Sequence, residues 1–438
     1  MSTAAPSRNR ATWLILAHCF NMDGRAASQT ITDRLPGLLG AGVRPVVVSA
    51  PTGVRDQRFP HYQVYSASPS CFLFEIRHVL NRKVRSRPLR QTLKGLITLL
   101  LLPLYIPEKI FIHLDSQWAW FISATLRSWF LVLKYRPALV YSTAGPPSTH
   151  LAAYLVAKTN RLPWLAEIHD PLSYDWQQKR NQNDRFKSWL EGVISRHADA
   201  VIYFTEASLA KAKGRHSFKG KTMVLRPGAA PPDFTRVRYL PSDKLHIGHF
   251  GSLGADRNLA MVFAAIHELI TENPAWREFL ALDIYGADLD PLSSEALQRY
   301  PLAGIVNLHG RLEYDPASGK SGRQRVLEAM RQSDILLLLH GTDAYAAEYI
   351  PSKLYEYLQM RRPVLGLVGP NPELRAMLTD LGHRAIMEND PVALKTALAR
   401  LINTWQQHGL ADTTLPSPFT VNATVSALTK VAEEISST

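Results

Sequence analysis

The stretch DILLLLHGTDAYAAEYIPSKLYEYLQMRRPVLGL, Asp334–Leu367, reads as strand, loop, helix and strand in immediate succession. Ile335 to Leu339 is a continuous apolar run, the pattern of a strand buried on both faces within a helix-covered parallel sheet. Pro351 is favoured in a first helical turn, because its missing N–H would be unpaired there anyway. A helix starting there begins at the carboxyl end of a parallel strand, where open α/β sheets bind ligands. The amides of Ser352, Lys353 and Leu354 would form a free helix terminus that attracts phosphate, and Lys353 adds a full positive charge. Glu348 then lies in the loop and Glu356 on the helix. At this level a ligand site competes with a plainer reading, in which Glu348 is solvated and Lys353 pairs with a neighbouring acid.

The same alternation extends in both directions. TWLILA, RPVVVSA, PALVYST, PWLAEIHD, DAVIYF and KTMVLRP precede a Pro-rich stretch, Leu225–Lys244, and LHIGHF, LALDIYG, IVNLHG, DILLLLH, RPVLGL and HRAIM follow it. Twelve strands separated by helical segments predict two parallel, helix-covered sheets in domains 1–235 and 236–418. A terminal helix in 419–438 carries Val421, Val425, Leu428 and Val431 on one face.

Charge narrows the partners. Fifty Lys and Arg against 37 Asp and Glu give the 438-residue chain a net charge of +13, which calls for an anionic partner. Ile76 to Lys94 holds seven of those cations and no acid, and Leu96–Ile106 is apolar but far short of the about 20 residues a bilayer span takes. That pairing suits a helix lying in an anionic membrane interface, and the Trp- and Phe-rich segment after it could share the surface. No RNA-binding signature adjoins the basic segment, so nucleic acid is not expected. The two cysteines, Cys19 and Cys71, lack metal or redox spacing. WLILA is too short for a signal-peptide core, which points to a cytoplasmic protein, peripheral on the inner face of the plasma membrane.

Two more loops follow strands in the manner of ligand sites. In HIGHFGSLGADRN, Gly251 and Gly254 permit close backbone approach, and Arg257 offers a fork of donors to a diphosphate. In CFNMDGRAAS, the small residues Gly24, Ala26 and Ala27 leave room for a ligand or for helix packing. The Asp288–Asp290 pair is placed in a loop and is not expected to hold metal; a P-loop, a nucleophile elbow and a zinc spacing are all missing from the sequence.

In this order the motifs resemble the GT-B glycosyltransferases of glycosyltransferase family 4, in particular the bacterial polysaccharide and lipopolysaccharide branch. The resemblance rests on Glu348, seven residues and Glu356; on IPSKLYEYLQMRRPVLGL; on ALVYSTAGPPSTHLAAYLVAKTNRLPWLAEIHDPL; and on ADAVIYFTEASLAKA followed by VLRPGAAPPDF. It implies an α/β GT-B fold of two Rossmann-like domains facing across a cleft, and sugar transfer from a nucleotide sugar, such as a UDP- or GDP-sugar, without cofactor or metal. The expected acceptor is lipid-linked or a glycan, and the expected stereochemistry is retention.

Residue by residue, the resemblance assigns Glu356 to the ribose and Glu348 to the transferred sugar. Ile350, Pro351, Ser352 and Lys353 would receive the diphosphate with Arg257, and Gly310 and Arg311 would lie near the base. Asp23, Gly24 and Arg25 would line the cleft, with His169 or Asp170 where the acceptor meets the anomeric carbon. Where many members carry Arg-x-x-x-x-Lys this chain has Ser252 and Arg257, and the branch's Arg-Asp-Pro-Trp appears as His-Asp-Pro-Leu. The rival expectations are a nucleotide-sugar epimerase of the same architecture and a non-catalytic scaffold at the membrane.

Overall fold

The computed structural model describes residues 11–22, 25–175, 181–286, 288–412 and 415–437. The chain divides into two units: 1–227 together with 421–438, and 228–420. The division precedes the expected 235/236 boundary, and the terminal helix belongs to the first unit.

The first unit is built on seven parallel strands: β1 (Thr12–Leu16), β2 (Arg44–Ser49), β3 (His61–Gln63), β4 (Leu139–Ser142), β5 (Trp164–Ile168), β6 (Ala200–Tyr203) and β7 (Lys221–Val224). Their order is β3-β2-β1-β4-β5-β6-β7, so the chain reverses direction between β1 and β4. Leu14 and Leu16 enter one core while Trp13 and Ile15 enter the other, as a doubly covered sheet requires. The second core receives the helix Val421–Ser436, whose Val421, Val425, Leu428 and Val431 pack with Ile31, Leu35 and Leu38 of the helix Ala26–Gly40.

Six parallel strands form the second unit: β8 (Leu245–Gly251), β9 (Leu280–Gly286), β10 (Val306–Gly310), β11 (Ile335–Leu339), β12 (Val364–Val368) and β13 (Arg384–Met387). The order β10-β9-β8-β11-β12-β13 places the reversal between β8 and β11. Along β11, Ile335, Leu337 and Leu339 face one core and Leu336 and Leu338 the other, which is what the unbroken apolar run dictates.

Two departures from the sequence reading stand out. β3 escapes it because three residues, His-Tyr-Gln, offer neither an apolar run nor an alternation. The basic segment and the apolar one are partly fused: Arg87–Phe111 is a single helix that continues through Pro103 and Pro107. The carbonyls deprived of donors there belong to Leu99 and Pro103, both exposed, where water can bond them. The far end is tied by Glu108, which accepts from the Ser70 amide at 2.9 Å and from the Trp118 indole at 2.8 Å. Among the described residues, no helix is long and apolar enough to cross a membrane. This helix nevertheless exposes Leu96, Leu99, Leu100, Leu104, Ile110 and Phe111, and the helix Trp120–Tyr135 exposes Leu126, Trp129, Phe130 and Leu133.

Candidate active site

In the second unit the expected donor residues gather at the β8/β11 reversal. β8 ends on Gly251, with Ser252 exposed beyond it, and the following turn closes through paired bonds of 3.0 Å between the backbones of Gly254 and Arg257. The loop after β11 is fastened to that turn by the Thr342 amide, which donates to the Asp256 carbonyl at 3.2 Å. Gly341 makes this approach feasible: a Cβ there would stand 2.8 Å from the Tyr349 hydroxyl and 3.0 Å from Asp256 Oδ2. Arg257 lies close enough that its charge, after burial itself, helps hold His340 down at a pKa of about 4. Its guanidinium is 3.4 Å from Asp256.

Glu348 ends a short 3-10 turn, Ala346–Glu348, and is 1% exposed. The turn is clamped from behind by Asn371, whose amide donates to the carbonyls of Ala346 (2.9 Å) and Tyr349 (2.8 Å). Sequence reasoning passed over Asn371, since an Asn before a Pro reads only as a helix cap, a role it also fills toward the Leu374 amide.

The helix spans Ser352–Gln359, with Ile350 leading into it. Pro351 occupies its N-cap, with extended backbone, and not the first helical turn as expected. The Leu354 amide also departs from expectation: it bonds the Pro351 carbonyl at 3.0 Å, so Ser352 and Lys353 supply the open amides. Lys353 Nζ donates to Glu356 Oε2 at 2.9 Å, and Arg323 Nη2 stands 3.5 Å from Glu356 Oε1. The plainer expectation for Lys353, pairing with a neighbouring acid, therefore describes this structure. Arg323 was missed because nothing in its helical context marks it until the fold brings that helix over the sheet.

Gly310 ends the edge strand β10, two strands from β8, and Arg311 follows it. They are linked to β8 by a row of rings: Phe250 stacks on Tyr285 at 4.6 Å, and Tyr285 on His309 at 4.3 Å. Asp290 of the Asp288–Asp290 pair caps the helix Pro291–Arg299 through the amides of Leu292 and Ser293.

The first unit holds a cavity of about 220 Å³ at the carboxyl ends of its strands, lined by Ala27, Ala144 to Pro147, His169, Asp170 and Lys187 among others. Arg25 precedes it as the exposed N-cap of the helix Ala26–Gly40; Asp23 and Gly24 lie outside the described residues. His169 stacks on Phe204 at 4.4 Å, and its Nε2 is 2.8 Å from Glu167 Oε1. Asp170 is exposed.

Glu167 is wholly buried and accepts from Thr143 Oγ1 (2.8 Å), from the Tyr141 hydroxyl (2.9 Å) and from Arg34, which is equally buried. Burial alone would raise its carboxyl, but the Arg34 charge and the bond to His169 overcome it and hold the group well below the usual carboxylate range. Neither Arg34 nor Glu167 was singled out from sequence: an Arg in an amphipathic helix and a Glu in a strand carry no mark of pairing. Breaking this pair leaves a buried charge alone, so Glu167→Leu is expected to destabilise the first unit by about 3–5 kcal/mol, and Arg34→Met/Glu167→Leu to restore most of it. Urea unfolding followed by Trp fluorescence measures both; equal losses in the single and double variants would refute the pairing.

Residues 37–228 match the model of the glycosyl transferase 4-like domain. The chain is similar to HepE from Anabaena, solved in complex with UDP-glucose, at 12% identity over 98% of both chains with a TM-score of 0.53. It is similar to sucrose-phosphate synthase from Thermosynechococcus elongatus at 14% identity over 98% of both chains, with a TM-score of 0.59. For α,α-trehalose 6-phosphate synthase from Burkholderia multivorans the figures are 11% identity, 98% of this chain, 99% of that one and a TM-score of 0.62. No curated protein matches the chain in sequence. At these identities the solved structures speak for the fold: the chain has a GT-B fold, and its residues 37–228 match a glycosyl transferase 4-like domain.

Proposed function

We propose that the protein moves a sugar from a nucleotide-sugar donor to a hydroxyl of a lipid-linked or polysaccharide acceptor, with retention of configuration, in bacterial cell-surface glycan synthesis on the inner face of the plasma membrane. The observation that carries the donor half is the meeting of Arg257, the open amides of Ser352 and Lys353, and Glu356 at the strand reversal of the second unit. Such a terminus favours an anion, and open α/β sheets bind at that point. HepE, of the same fold, was solved with UDP-glucose, which makes a UDP-sugar the first donor to try.

In the reaction the acceptor oxygen forms a bond to the anomeric carbon while the bond from that carbon to the diphosphate oxygen breaks, its electron pair leaving with the diphosphate. The helix terminus, Lys353 and Arg257 stabilise the charge that develops on the leaving group, without a metal. Lys353 exchanges Glu356 for the diphosphate, which releases the Glu356 carboxylate to accept from the ribose hydroxyls. Glu348 contacts the transferred sugar. In the first unit His169, steadied by Glu167, or the exposed Asp170 orients the acceptor hydroxyl, whose proton passes to one of them or to the leaving diphosphate.

Thermal stabilisation by a panel of UDP-, GDP- and dTDP-sugars tests the donor half, and Glu356→Ala is expected to weaken the stabilising nucleotide about 10- to 100-fold, the loss of a charge-assisted bond. A panel without any hit would reject the reading.

The membrane half is supported by the exposed apolar side chains of the helices Arg87–Phe111 and Trp120–Tyr135 beside the basic segment; Leu100 and Leu133 are 79% and 76% exposed. Single exposed leucines are ordinary, whereas Leu96, Leu99, Leu100, Leu104, Ile110 and Phe111 exposed along one helix mark an interaction surface. The full chain is expected to float with phosphatidylglycerol-containing vesicles, less so at high salt, and Leu100→Asp/Leu104→Asp to remain in the soluble fraction. Failure of the unaltered chain to float with any vesicle would sink this half.

A further inference from the structure

We propose that the groove between the helices Pro69–Lys83 and Arg87–Phe111 holds one anionic phospholipid of the membrane, with its phosphate between Arg77 and Lys94 and an acyl chain along Gly95, Thr98, Leu99 and Leu102. The proposal rests on the membrane-docking reading and sharpens it from a face to a binding site.

The two helices run antiparallel and are tied at both ends. Glu108, late in the second helix, accepts from the backbone and hydroxyl of Ser70, early in the first, at 2.9 and 2.5 Å. At the other end Lys94 Nζ donates to Asn81 Oδ1 at 2.6 Å. Between these ties the helices leave an open groove of about 650 Å³, lined by Arg77, Lys94, Gly95, Thr98, Leu99 and Leu102. Gly95 contributes to the opening: a Cβ built there meets no atom within 4 Å.

The lining pairs apolar walls with cations. Leu99 is 68% exposed although it borders the groove, so it gains from an apolar occupant. Among the described residues the exposed Arg77 pairs with no carboxylate, and Lys94 has only the neutral Asn81 amide as a side-chain partner. Ile76 to Lys94 contains no acid that could serve either of them. A phosphodiester accepts charge-assisted bonds from both, and the chain esterified to it covers Leu99 and Leu102. A zwitterionic lipid would bring a choline cation toward the same basic segment, so net negative charge is selected. A nucleic acid backbone would satisfy the cations and leave the leucines bare. The helix that lines the groove also exposes Leu100 and Leu104, so docking by those side chains brings the groove to the headgroup layer.

Native mass spectrometry of the full chain with dihexanoyl-phosphatidylglycerol or dihexanoyl-phosphatidylcholine, both below their micelle concentrations, tests this. A single phosphatidylglycerol adduct is expected, at least tenfold tighter than the phosphatidylcholine one. Arg77→Gln/Lys94→Gln and Gly95→Leu should each weaken it at least tenfold with the thermal unfolding midpoint unchanged, and Arg77→Lys/Lys94→Arg should retain it. Equal affinity for the two lipids, a phosphatidylglycerol adduct untouched by the Gln pair or by Gly95→Leu, or no recovery in the charge-preserving pair would overturn the groove. Leu100→Asp/Leu104→Asp separates the two readings: it should abolish flotation and keep the adduct. Flotation without a selective adduct strikes the groove alone, and a selective adduct without flotation strikes the docking reading alone.

Discussion

Lys353→Ala is expected to lower kcat for sugar transfer about 10²- to 10³-fold, the usual cost of removing one preorganised donor from developing charge. Its effect on the donor KM should be smaller, because in the proposed site the open amides of Ser352 and Lys353 and the Arg257 guanidinium would still hold the ground-state diphosphate. Lys353→Arg should recover part of the rate, since charge is kept while geometry changes. The structure adds a further expectation: Lys353 and Glu356 are partners at 2.9 Å, so their substitutions should not be additive. Steady-state kinetics on Lys353→Ala, Glu356→Ala and the double variant measure this. Unchanged kcat in both Lys353→Ala and Arg257→Ala would remove the diphosphate from this terminus.

Acidification from pH 7.5 to 5 is expected to lower the stability of the second unit steeply. His249, His340 and His383 are 5%, 2% and 8% exposed, and burial holds each near a pKa of about 4. His383 Nδ1 accepts from the Val364 amide at 3.3 Å, which needs a neutral ring, while the bonds of His249 and His340 to the carbonyls of Leu337 and Tyr349 oppose the effect of burial without overcoming it. Above about pH 6.5 such a histidine is neutral in both folded and unfolded chains and stability is at its full value. Between about 6.5 and 4 the unfolded chain takes up the proton first, so stability falls by about 1.4 kcal/mol per pH unit for each, or about 2 kcal/mol apiece at pH 5. His246 titrates in the opposite sense: its bond to Asp283 raises it, so its contribution is complete below 6.5 and is lost as pH rises through the raised value. Three groups against one leave a net loss that is large beside a typical domain stability of about 5–15 kcal/mol. Calorimetry at pH 7.5, 6 and 5 should show the second unit's transition moving down; a level midpoint would refute it.

The second unit was the more legible part of the chain, for a physical reason. A strand buried on both faces must be apolar at every position, and Ile335–Leu339 announces both its own place and the doubly covered sheet around it. Strands in the middle of each sheet were read in the same way. His61–Gln63 was not, because an edge strand of three residues has one neighbour and no need for an apolar run. The position of the loops after β8 and β11 was legible because they follow buried strands directly. What stayed hidden is whatever depends on partners distant in sequence: the Arg34–Glu167 pair, the Asn371 clamp behind Glu348, and Arg323 beside Glu356. The groove beside Gly95 was equally unreadable, since it exists only where two helices are held apart. The continuation of the helix Arg87–Phe111 past Ile106 and through Pro107 was hidden as well, because the cost of a proline depends on whether the orphaned carbonyl meets water.

The terminal helix has a bearing on biosynthesis. Val425 lies against Gly37, with a Cγ only 3.0 Å from where a Cβ on that glycine would be, and Val421, Val425, Leu428 and Val431 seal the apolar face of Ile31, Leu35 and Leu38. These two stretches leave the ribosome with the whole of the second unit, about 190 residues, between them. At about 5–20 residues per second, the nascent first unit waits on the order of 10–40 s with that face uncovered. During this interval the sheet can form but its layer of helices is incomplete, and the apolar face of the helix Ala26–Gly40 stays exposed to association with other chains. The N-terminal half of this protein is made first and finished last.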